Sequence, residues 1–238
     1  PSAVADPAAN PPVEIARGGT FSAPTVAGGR IFTTLQSLRQ PPEVVSLALD
    51  GTDLRPVTDF TGPQMADLEL SEVEEITFEG AGGAPVQMFV LFPPGIEPPA
   101  PGERPAEPWP LVHPVHGGPH GVFGDAWHWR GSSQAGAAPG YLVALVNFHG
   151  STGWGQGIAA SILGRWGVQP YEDVMAATDV LVERGLADPA RLAVTGGSYG
   201  GYLVSWIASQ TDRFACIVNH AGVCDFQTQF ASDVTQGR

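Results

Sequence analysis

The sequence predicts an α/β protein in which a parallel sheet flanked by helices follows a segment of short antiparallel strands. In the second half of the chain, four short apolar runs are separated by loops and helix-like stretches. Runs that are apolar throughout indicate strands buried on both faces, as in a parallel sheet. The first quarter of the chain instead carries β-branched and aromatic residues between turns that contain glycine and aspartate, which is typical of antiparallel strands.

The composition is that of a globular protein, and it excludes several classes of function. The chain has 238 residues, of which 43% are hydrophobic and 15% are charged, so it can bury a core and is not disordered as a whole. Its net charge of −13 argues against nucleic acid or an anionic membrane as a partner, because both need a basic surface. Two cysteines cannot form a disulfide framework in a chain of this length, and no apolar run is long enough for a transmembrane helix.

Residues 13–60 are expected to form short strands joined by tight turns. Gly28-Gly29 and Asp50-Gly51 are turn dipeptides that accept positive φ. The pattern suits one blade of a β-propeller, and a piece of a β-sandwich is the alternative. The expected strands are Arg30–Leu38, Val44–Leu49 and Leu54–Thr58.

Residues 72–92 carry alternating apolar residues on both sides of a glycine-rich turn, which predicts a β-hairpin. Residues 93–110 contain eight prolines and therefore form neither a helix nor a central strand. This proline-rich stretch is either a linker between two domains or a long surface loop within the second one.

The remaining chain alternates strands and helices, which indicates right-handed crossovers in an α/β fold. The clearest helix has Pro170 in its first turn and Gly185 after its last turn. Glu172 and Asp173 are expected to favour the positive end of its dipole. Its expected buried face consists of Val174, Ala177 and Leu181. The expected strands are Leu111–Val115, Tyr141–Val146, Arg191–Thr195 and Ala215–Val218.

A candidate nucleophile, Ser198, lies in a glycine-rich sequence from Gly196 to Gly201 that contains the pattern G-x-S-x-G. The pattern directly follows an apolar strand and precedes a helix-like segment, as a nucleophile elbow requires. In so sharp a turn the serine takes a strained backbone, and side chains at Gly196 and Gly200 would collide with their neighbours. Ser198 would then project above the sheet near a helix N-terminus, which favours negative charge. A glycine-rich helix start without chemistry is the alternative.

A second glycine pair follows another strand, in the sequence His116-Gly117-Gly118-Pro119. Such a pair can turn backbone N–H groups toward an oxyanion, and with the N–H of Tyr199 it would form the two-donor hole that acyl transfer requires. An ordinary loop between strand and helix is the alternative.

The histidines and cysteines do not predict a metal site. His113, His116 and His120 are spaced like ligands on a helix, but the prolines and glycines among them rule a helix out. Cys216 is expected to be a buried free thiol in an apolar strand, with a disulfide to Cys224 as the alternative.

Five motifs occur in order along the second half of the chain. They are His116-Gly117-Gly118-Pro119-His120-Gly121, Asn147-Phe148-His149-Gly150-Ser151-Thr152-Gly153-Trp154-Gly155, Trp166-Gly167, Tyr171-Glu172-Asp173-Val174 and Gly196-Gly197-Ser198-Tyr199-Gly200-Gly201. The series resembles the prolyl oligopeptidase family of serine peptidases, nearest its acylaminoacyl peptidase and dipeptidyl peptidase V branch. The resemblance covers residues 72–238 and implies a partial α/β-hydrolase fold. Residues 13–60 resemble the family's last β-propeller blade.

The resemblance also implies roles for three residues. Ser198 would be the nucleophile, and the N–H groups of Tyr199 and Gly118 would hold the oxyanion. In the prolyl oligopeptidase and dipeptidyl peptidase IV branches a tyrosine precedes the glycine pair and donates its hydroxyl to the oxyanion. His116 stands at that position here, which argues against proline specificity.

The acid and base of the fold follow the nucleophile in the order Asp or Glu, then His. Downstream of Ser198 the only histidine, His220, precedes Asp225, so both are expected to be loop residues at the edge of the sheet. The chain starts with Pro1 and ends without a recognisable stop signal, and we expect an excerpt of a longer protein. Residues 1–62 would be a remnant of a β-propeller. Residues 63–238 would be the N-terminal portion of a hydrolase domain that is incomplete at its C-terminus.

The expected function is that of a serine peptidase that releases aminoacyl, acylaminoacyl or dipeptidyl units from short peptides through an acyl-enzyme. Because the expected Asp and His would lie beyond Arg238, this chain alone would be inactive. Neither a metal nor an organic cofactor is expected. A carboxylesterase on the same fold and a non-catalytic remnant or interaction module are the alternatives. The sequence leaves open the oligomeric state and whether the protein is cytoplasmic, periplasmic or secreted.

Overall fold

The computed structural model of the chain describes residues 11–230 and divides into two compact units. The first unit comprises the described residues up to Leu68 together with Gly124–His128. The second comprises Glu69–Phe123 and the described residues from Trp129 onward. The proline-rich stretch that follows residue 92 lies within the second unit.

The first unit is built on a four-stranded antiparallel sheet with the strand order β1-β2-β3-β4. Its strands are β1 (Thr20–Ala27), β2 (Arg30–Ser37), β3 (Gln40–Ala48) and β4 (Arg55–Pro56), followed by the short helix α1 (Gly62–Met65). The turn between β1 and β2 has Gly28 and Gly29 at φ of 55° and 76°, values that glycine adopts without strain. The predicted short strands and their tight turns are confirmed.

Glu43 is buried in this first unit and its carboxylate is fully hydrogen-bonded. It accepts the Thr58 hydroxyl at 2.5 Å, and the Thr61 N–H and hydroxyl at 2.7 and 2.8 Å. These hydrogen bonds, with that from Thr58 the largest, lower the pKa of Glu43 to about 2. The carboxylate therefore joins β3 to the segment that follows β4.

The second unit contains a six-stranded mixed sheet with the order β10-β9-β7-β8-β6-β5. The strands are β5 (Val73–Glu79), β6 (Pro85–Leu91), β7 (Trp109–Val115), β8 (Leu142–Asn147), β9 (Ala187–Gly197) and β10 (Cys216–His220). Strands β7 to β10 run parallel to one another, as predicted, whereas β5 and β6 form the predicted hairpin, and β6 joins antiparallel to β8. Every residue of β8 is buried, because this strand lies inside the sheet.

Five helices connect these strands or follow them. They are α2 (Ser133–Ala137), α3 (Gly155–Ala160), α4 (Gln169–Glu183), α5 (Tyr199–Gln210) and α6 (Phe226–Phe230). The helix α4 begins with Pro170 in its first turn and is followed by Gly185 at φ 72°, as predicted. Its predicted apolar face is fully buried against the sheet. None of the helices among the described residues has both the length and the apolar character needed to cross a bilayer.

The edge strand β10 departs from the expectation of burial. Within residues 11–230 it pairs only with β9, and Val218 is 50% exposed. The prediction that Cys216 is a buried thiol is therefore wrong: Cys216 and Cys224 are both exposed and both free. A strand with one neighbour can be apolar in sequence and still keep exposed positions, because burial depends on what packs against it.

Candidate active site

Ser198 lies at a sharp turn between β9 and α5, as the sequence predicts. Its backbone has φ 58° and ψ −119°, a conformation that non-glycine residues rarely adopt and that is typical of strained functional turns. The residue itself is exposed. The strained geometry thus places the serine at the end of a buried strand, where a substrate can reach it.

Two glycines allow this turn because no side chain fits beside them. A β-carbon on Gly196 would lie 2.3 Å from the carbonyl oxygen of Gly200, and one on Gly200 would lie 2.2 Å from the Val115 carbonyl oxygen. Both obstacles are backbone atoms and cannot rotate away. The predicted requirement for glycine at both positions is confirmed.

The backbone of Ser198 is held on both sides. Its N–H donates to the carbonyl of His220 at 3.0 Å, and its carbonyl accepts the N–H of Tyr202 at 3.1 Å. The hydroxyl, in contrast, makes no hydrogen bond to any group within residues 11–230. The turn is therefore rigid while its hydroxyl is available.

The loop after β7, residues 116–123, passes directly beside this serine. We call it the oxyanion loop. A β-carbon on Gly117 would lie 3.5 Å from the Ser198 β-carbon. Gly118 has φ 133° and is exposed, and its N–H finds no acceptor in the described part of the chain. The same holds for the N–H of Tyr199, the first residue of α5. Two free amide donors thus flank the serine.

A cavity of about 370 Å³ brings the three predicted site residues together, because Gly118, Ser198 and Tyr199 all line it. Its other walls are largely aromatic, and among the described residues that line it none carries a charge. The remaining lining residues are Trp166, Tyr202, Val223, Phe226 and Gln229.

The aromatic walls of this cavity are held together by edge contacts and one strong hydrogen bond. The Trp166 ring lies 5.6 Å from that of Phe226 and 5.7 Å from that of Tyr199. The Tyr199 hydroxyl donates to the Trp166 carbonyl at 2.6 Å, and burial raises the pKa of this hydroxyl. Sequence reasoning gave the rings of Trp166 and Phe226 no role, although Trp166-Gly167 was one of the five motifs, and it gave Tyr199 a role only through its backbone N–H.

His116, which stands where other branches carry a tyrosine, does not point its donors at the cavity. Its Nδ1 bonds the carbonyl of Gly117 at 2.9 Å and its Nε2 lies 2.8 Å from the Ser151 hydroxyl. Burial lowers the pKa of His116 to about 4, so the ring is neutral at pH 7. This ring therefore cannot donate to an oxyanion.

The other predicted histidines also lie apart from Ser198. His113 is buried in the core, where its Nε2 bonds the Thr178 hydroxyl at 3.0 Å, and burial lowers its pKa to about 4. The Nδ1 of His120 bonds the carbonyl of Gly150.

His220 and Asp225 do not form a catalytic pair. His220 is the last residue of β10 rather than a loop residue, because its main chain continues the parallel pairing with β9. Asp225 precedes α6 and accepts the N–H groups of Gln227 and Thr228. No hydrogen bond links either side chain to Ser198.

Asp173 and His149 form a buried pair that sequence reasoning missed. One carboxylate oxygen of Asp173 accepts hydrogen bonds from the backbone N–H of His149 at 2.6 Å and from Nδ1 of the His149 ring at 2.7 Å. The other carboxylate oxygen accepts the Ala81 N–H at 2.8 Å. The hydrogen bond to Asp173 raises the pKa of His149. Asp173 was expected to act only through the dipole of α4, but it instead joins three segments of the chain.

Comparison with known proteins shows which family the chain resembles. Residues 127–236 match the prolyl oligopeptidase family. The matched residues therefore belong to the prolyl oligopeptidase family. Ser198 and α5 lie within the matched residues, whereas the oxyanion loop precedes them.

Relatives of this family member include peptidases of bacteria and fungi. The uncharacterized peptidase YuxL of Bacillus subtilis (strain 168) is 34% identical over 188 residues, which are 79% of this chain and 27% of that protein. Dipeptidyl-peptidase 5 of Aspergillus fumigatus is 28% identical over 202 residues, or 83% of this chain and 26% of that protein. The chain thus spans about a quarter of the length of these relatives.

Solved structures of the family share the fold. An acylaminoacyl peptidase in complex with Z-Gly-Gly-Phe-chloromethyl ketone superposes with a TM-score of 0.79 at 26% identity, covering 94% of this chain and 34% of that one. A puromycin hydrolase gives a TM-score of 0.72 at 32% identity, with 93% and 33% covered. The α/β-hydrolase architecture predicted from the sequence is confirmed.

Proposed function

We propose that the protein containing this chain is a serine peptidase acting on short peptides. Ser198 is the nucleophile, and the N–H groups of Gly118 and Tyr199 hold the oxyanion. The observation that carries the proposal is the exposed hydroxyl at a strained turn, on the same cavity as two residues whose amide donors are unused. A nucleophile beside two preorganised donors is the arrangement that acyl transfer needs.

The reaction follows from these positions. The Ser198 oxygen adds to the carbonyl carbon of the substrate, and its proton passes to a general base. The carbonyl oxygen becomes negative and accepts hydrogen bonds from Gly118 and Tyr199. The C–N bond then breaks, and the amine leaves with the proton. Water hydrolyses the resulting ester by the same route and regenerates the serine.

We place the base and its acid in the protein beyond Arg238. Within residues 11–230 no histidine or carboxylate bonds the Ser198 hydroxyl, and the fold orders its acid and base after the nucleophile. Residues 1–62 are then the end of a propeller, and residues 63–238 are the N-terminal portion of the catalytic domain. The chain produced alone should therefore leave peptide anilides intact, whereas the whole protein should hydrolyse them. Equal activity of the two would contradict this placement.

The cavity favours an apolar residue on the acyl side of the cleaved bond. The described residues that line it carry aromatic rings and no charge, and burying an unpaired charge against them would be costly. The acylaminoacyl peptidase that this chain resembles was solved with an inhibitor ending in phenylalanine. Anilides of phenylalanine or leucine should therefore be cleaved better than those of aspartate or lysine. A preference for a charged residue would contradict this assignment.

The nucleophile can be tested with a fluorophosphonate, which labels activated serines. The whole protein should be labelled at Ser198, and Ser198→Ala should lose both labelling and hydrolysis. Ser209→Ala is the matched control, because its hydroxyl bonds only the Trp206 carbonyl and the neighbouring Gln210 side chain, at the far end of α5. Labelling or hydrolysis that survives in Ser198→Ala would refute the nucleophile.

A carboxylesterase remains the second candidate, since the same turn and amide donors serve esters. The blade-like first unit favours the peptidase, because a free-standing esterase has no use for a propeller. Ratios of kcat/KM for matched peptide anilides and p-nitrophenyl esters separate the two. Ester hydrolysis without measurable amide hydrolysis would favour the esterase, and no Ser198-dependent hydrolysis of either would favour a non-catalytic role.

A further inference from the structure

Residues 124–128 form a short segment of the first unit, although the chain on both sides of them belongs to the second. We call them the crossing segment. The oxyanion loop ends at Phe123, so the chain that leaves this loop enters the first unit at once. Phe123 itself is held inside the second unit, where the Asn147 side chain accepts its N–H at 2.7 Å and donates to its carbonyl at 2.9 Å. The two units therefore hold consecutive stretches of one continuous chain.

The crossing segment is bonded to one end of the antiparallel sheet through Asp125. One oxygen of its carboxylate accepts the Gly19 N–H at 3.0 Å, and the other accepts the Leu38 N–H at 2.7 Å. The Asp125 carbonyl accepts the Thr20 hydroxyl at 2.7 Å. One residue thus receives three hydrogen bonds from residues that precede it by 87 to 106 positions.

The sheet presents these two amides because of the way its strands end. Gly19 directly precedes β1, and Leu38 lies in the turn between β2 and β3, so both lie outside the paired residues of their strands. Gly19 has φ 74°, and a β-carbon on it would lie 2.5 Å from the Gln36 carbonyl oxygen. The chain therefore enters β1 pressed against the end of β2, and this close approach needs glycine.

The two amides call for a carboxylate rather than a carboxamide. Both partners are N–H donors, and an ionised aspartate has two oxygens that accept and no group that donates. Asparagine has the same shape, but its NH₂ group would face one of the two donors. Hydrogen bonds to an ionised group are also stronger than those between neutral groups. The side chain of Asp125 therefore fits this end of the sheet, and its closest analogue does not.

Only Gly124 separates the anchor in the second unit from the anchor in the first. The Asn147 bonds fix Phe123, and the bonds to the sheet fix Asp125. The Ala126 N–H bonds the Gly124 carbonyl at 2.9 Å, which closes a tight turn at this point. Consecutive α-carbons are only about 3.8 Å apart, so across so short a span a restraint on one anchor limits the other. The end of the oxyanion loop is thus restrained from both units.

We infer that Asp125 is a positioning residue through which the first unit holds the end of the oxyanion loop, and with it the Gly118 N–H. The catalytic part of the inference rests on the proposed function, since the loop needs a fixed direction only if Ser198 attacks a carbonyl. Asp125 is not among the residues that line the cavity. Its loss should therefore weaken transition-state binding and leave substrate binding nearly unchanged.

Hydrogen exchange in the whole protein that contains this sequence tests the anchor without using activity. Asp125→Asn should accelerate exchange by about tenfold in the oxyanion loop and the crossing segment, because a charge-assisted bond is lost. Residues 196–201 should be unaffected. Asp50→Asn is the matched control, because that carboxylate also accepts two hydrogen bonds in the first unit, but both come from Thr52 in its own turn. Acceleration confined to the strands of the first unit would overturn the inference.

Kinetics test whether the anchor serves the Gly118 donor. Removing a whole oxyanion donor costs about 10²–10³-fold in kcat, so a donor that is only held less well should cost about three- to tenfold in Asp125→Asn. KM should stay within about twofold. The affinity for a peptidyl trifluoromethyl ketone, which forms a tetrahedral adduct, should fall by the same factor as kcat. Asp50→Asn should change neither. An unchanged kcat beside accelerated loop exchange would overturn the positioning role, as would a change in KM alone.

Thr20→Val carries the test if Asp125→Asn fails to fold. Valine keeps the shape of threonine but cannot donate to the Asp125 carbonyl, and the two carboxylate bonds remain. Loop exchange should rise and kcat should fall, each by about two- to fourfold. A Thr20→Val protein in which neither changes would overturn the inference. If the unmodified protein showed no Ser198-dependent hydrolysis, the proposed function would fail, and that result is distinct from an active enzyme indifferent to Asp125→Asn.

Discussion

The turn at Ser198 and the oxyanion loop face the same cavity but are held in place by different means. Backbone atoms fix the turn: Gly196 and Gly200 leave no room for a β-carbon, and main-chain bonds hold the serine on both sides. Side chains fix the loop, some of them its own histidines and others from residues 147–152, some thirty residues away. A turn fixed by backbone contacts tolerates no substitution at its glycines, whereas a loop fixed by side chains can be loosened in steps.

The largest expected effect is that of Gly200→Ala. The new β-carbon would lie 2.2 Å from a backbone oxygen, so strand and helix must separate. We expect activity to fall more than about 10³-fold, because Ser198 is misplaced, and stability to fall by about 3 kcal/mol. Urea unfolding and kcat/KM check this.

Gly157→Ala is the control for this substitution. Gly157 lies in α3 with nothing within 4 Å of an added β-carbon, and alanine there should stabilise by about 0.5–1 kcal/mol. Equal effects of the two alanines would contradict the steric account of the turn.

The next expected effect is that of Asp173→Asn, which should loosen the oxyanion loop rather than the turn at Ser198. Its carboxylate accepts three hydrogen bonds and pairs with His149, which lies within residues 147–152 beside the oxyanion loop. Removing one partner of a buried pair costs about 3–5 kcal/mol. Hydrogen exchange should accelerate in residues 116–123 and 147–152 more than in residues 196–201. Uniform acceleration would show that the two regions are not held independently.

Gly118→Ala should affect activity more than stability. Gly118 has φ 133°, and a β-carbon there would lie 2.4 Å from the His120 nitrogen. The loop can shift to relieve the contact, which takes the amide donor out of line. We expect a loss of about 10²–10³-fold in kcat with KM nearly unchanged. An unchanged kcat in this variant would show that the Gly118 N–H is not part of the oxyanion hole.

The last prediction is a pH dependence of stability that arises from two buried histidines. His113 and His116 have pKa values lowered to about 4 by burial, so the unfolded chain binds more protons between pH 6.5 and 4. Stability is therefore full above about pH 6.5 and falls as the pH drops, by up to about 3 kcal/mol for each group. Urea unfolding between pH 7 and 4.5 should show the fall, and His116→Asn should reduce it.

The stability that His149 contributes depends on pH in the opposite direction. Its pKa is raised by Asp173, so its contribution is complete below its ordinary value of 6.5 and is lost as the pH rises through the higher folded value. Stability should therefore peak near neutral pH. An Asp173→Asn protein that still lost stability above neutral pH to the same extent would contradict this role of the pair.

The sequence by itself determined the features that depend on neighbouring residues. The strands, the helix α4 and the turn at Ser198 follow from local patterns, because apolar runs, a proline, and closely spaced glycines each restrict the backbone directly. The prediction that Cys216 is buried failed for a related reason, because an apolar strand sequence does not specify whether another element packs against the strand.

Only the tertiary structure decided which distant side chains serve the site. Three such sets of contacts join residues that lie far apart along the chain. They are the hydrogen bond of His116 with Ser151, the pair of Asp173 with His149, and the aromatic walls around Trp166. Such contacts leave no periodic pattern, because the distance between two residues in a folded sheet depends on the strand order and not on their separation in sequence.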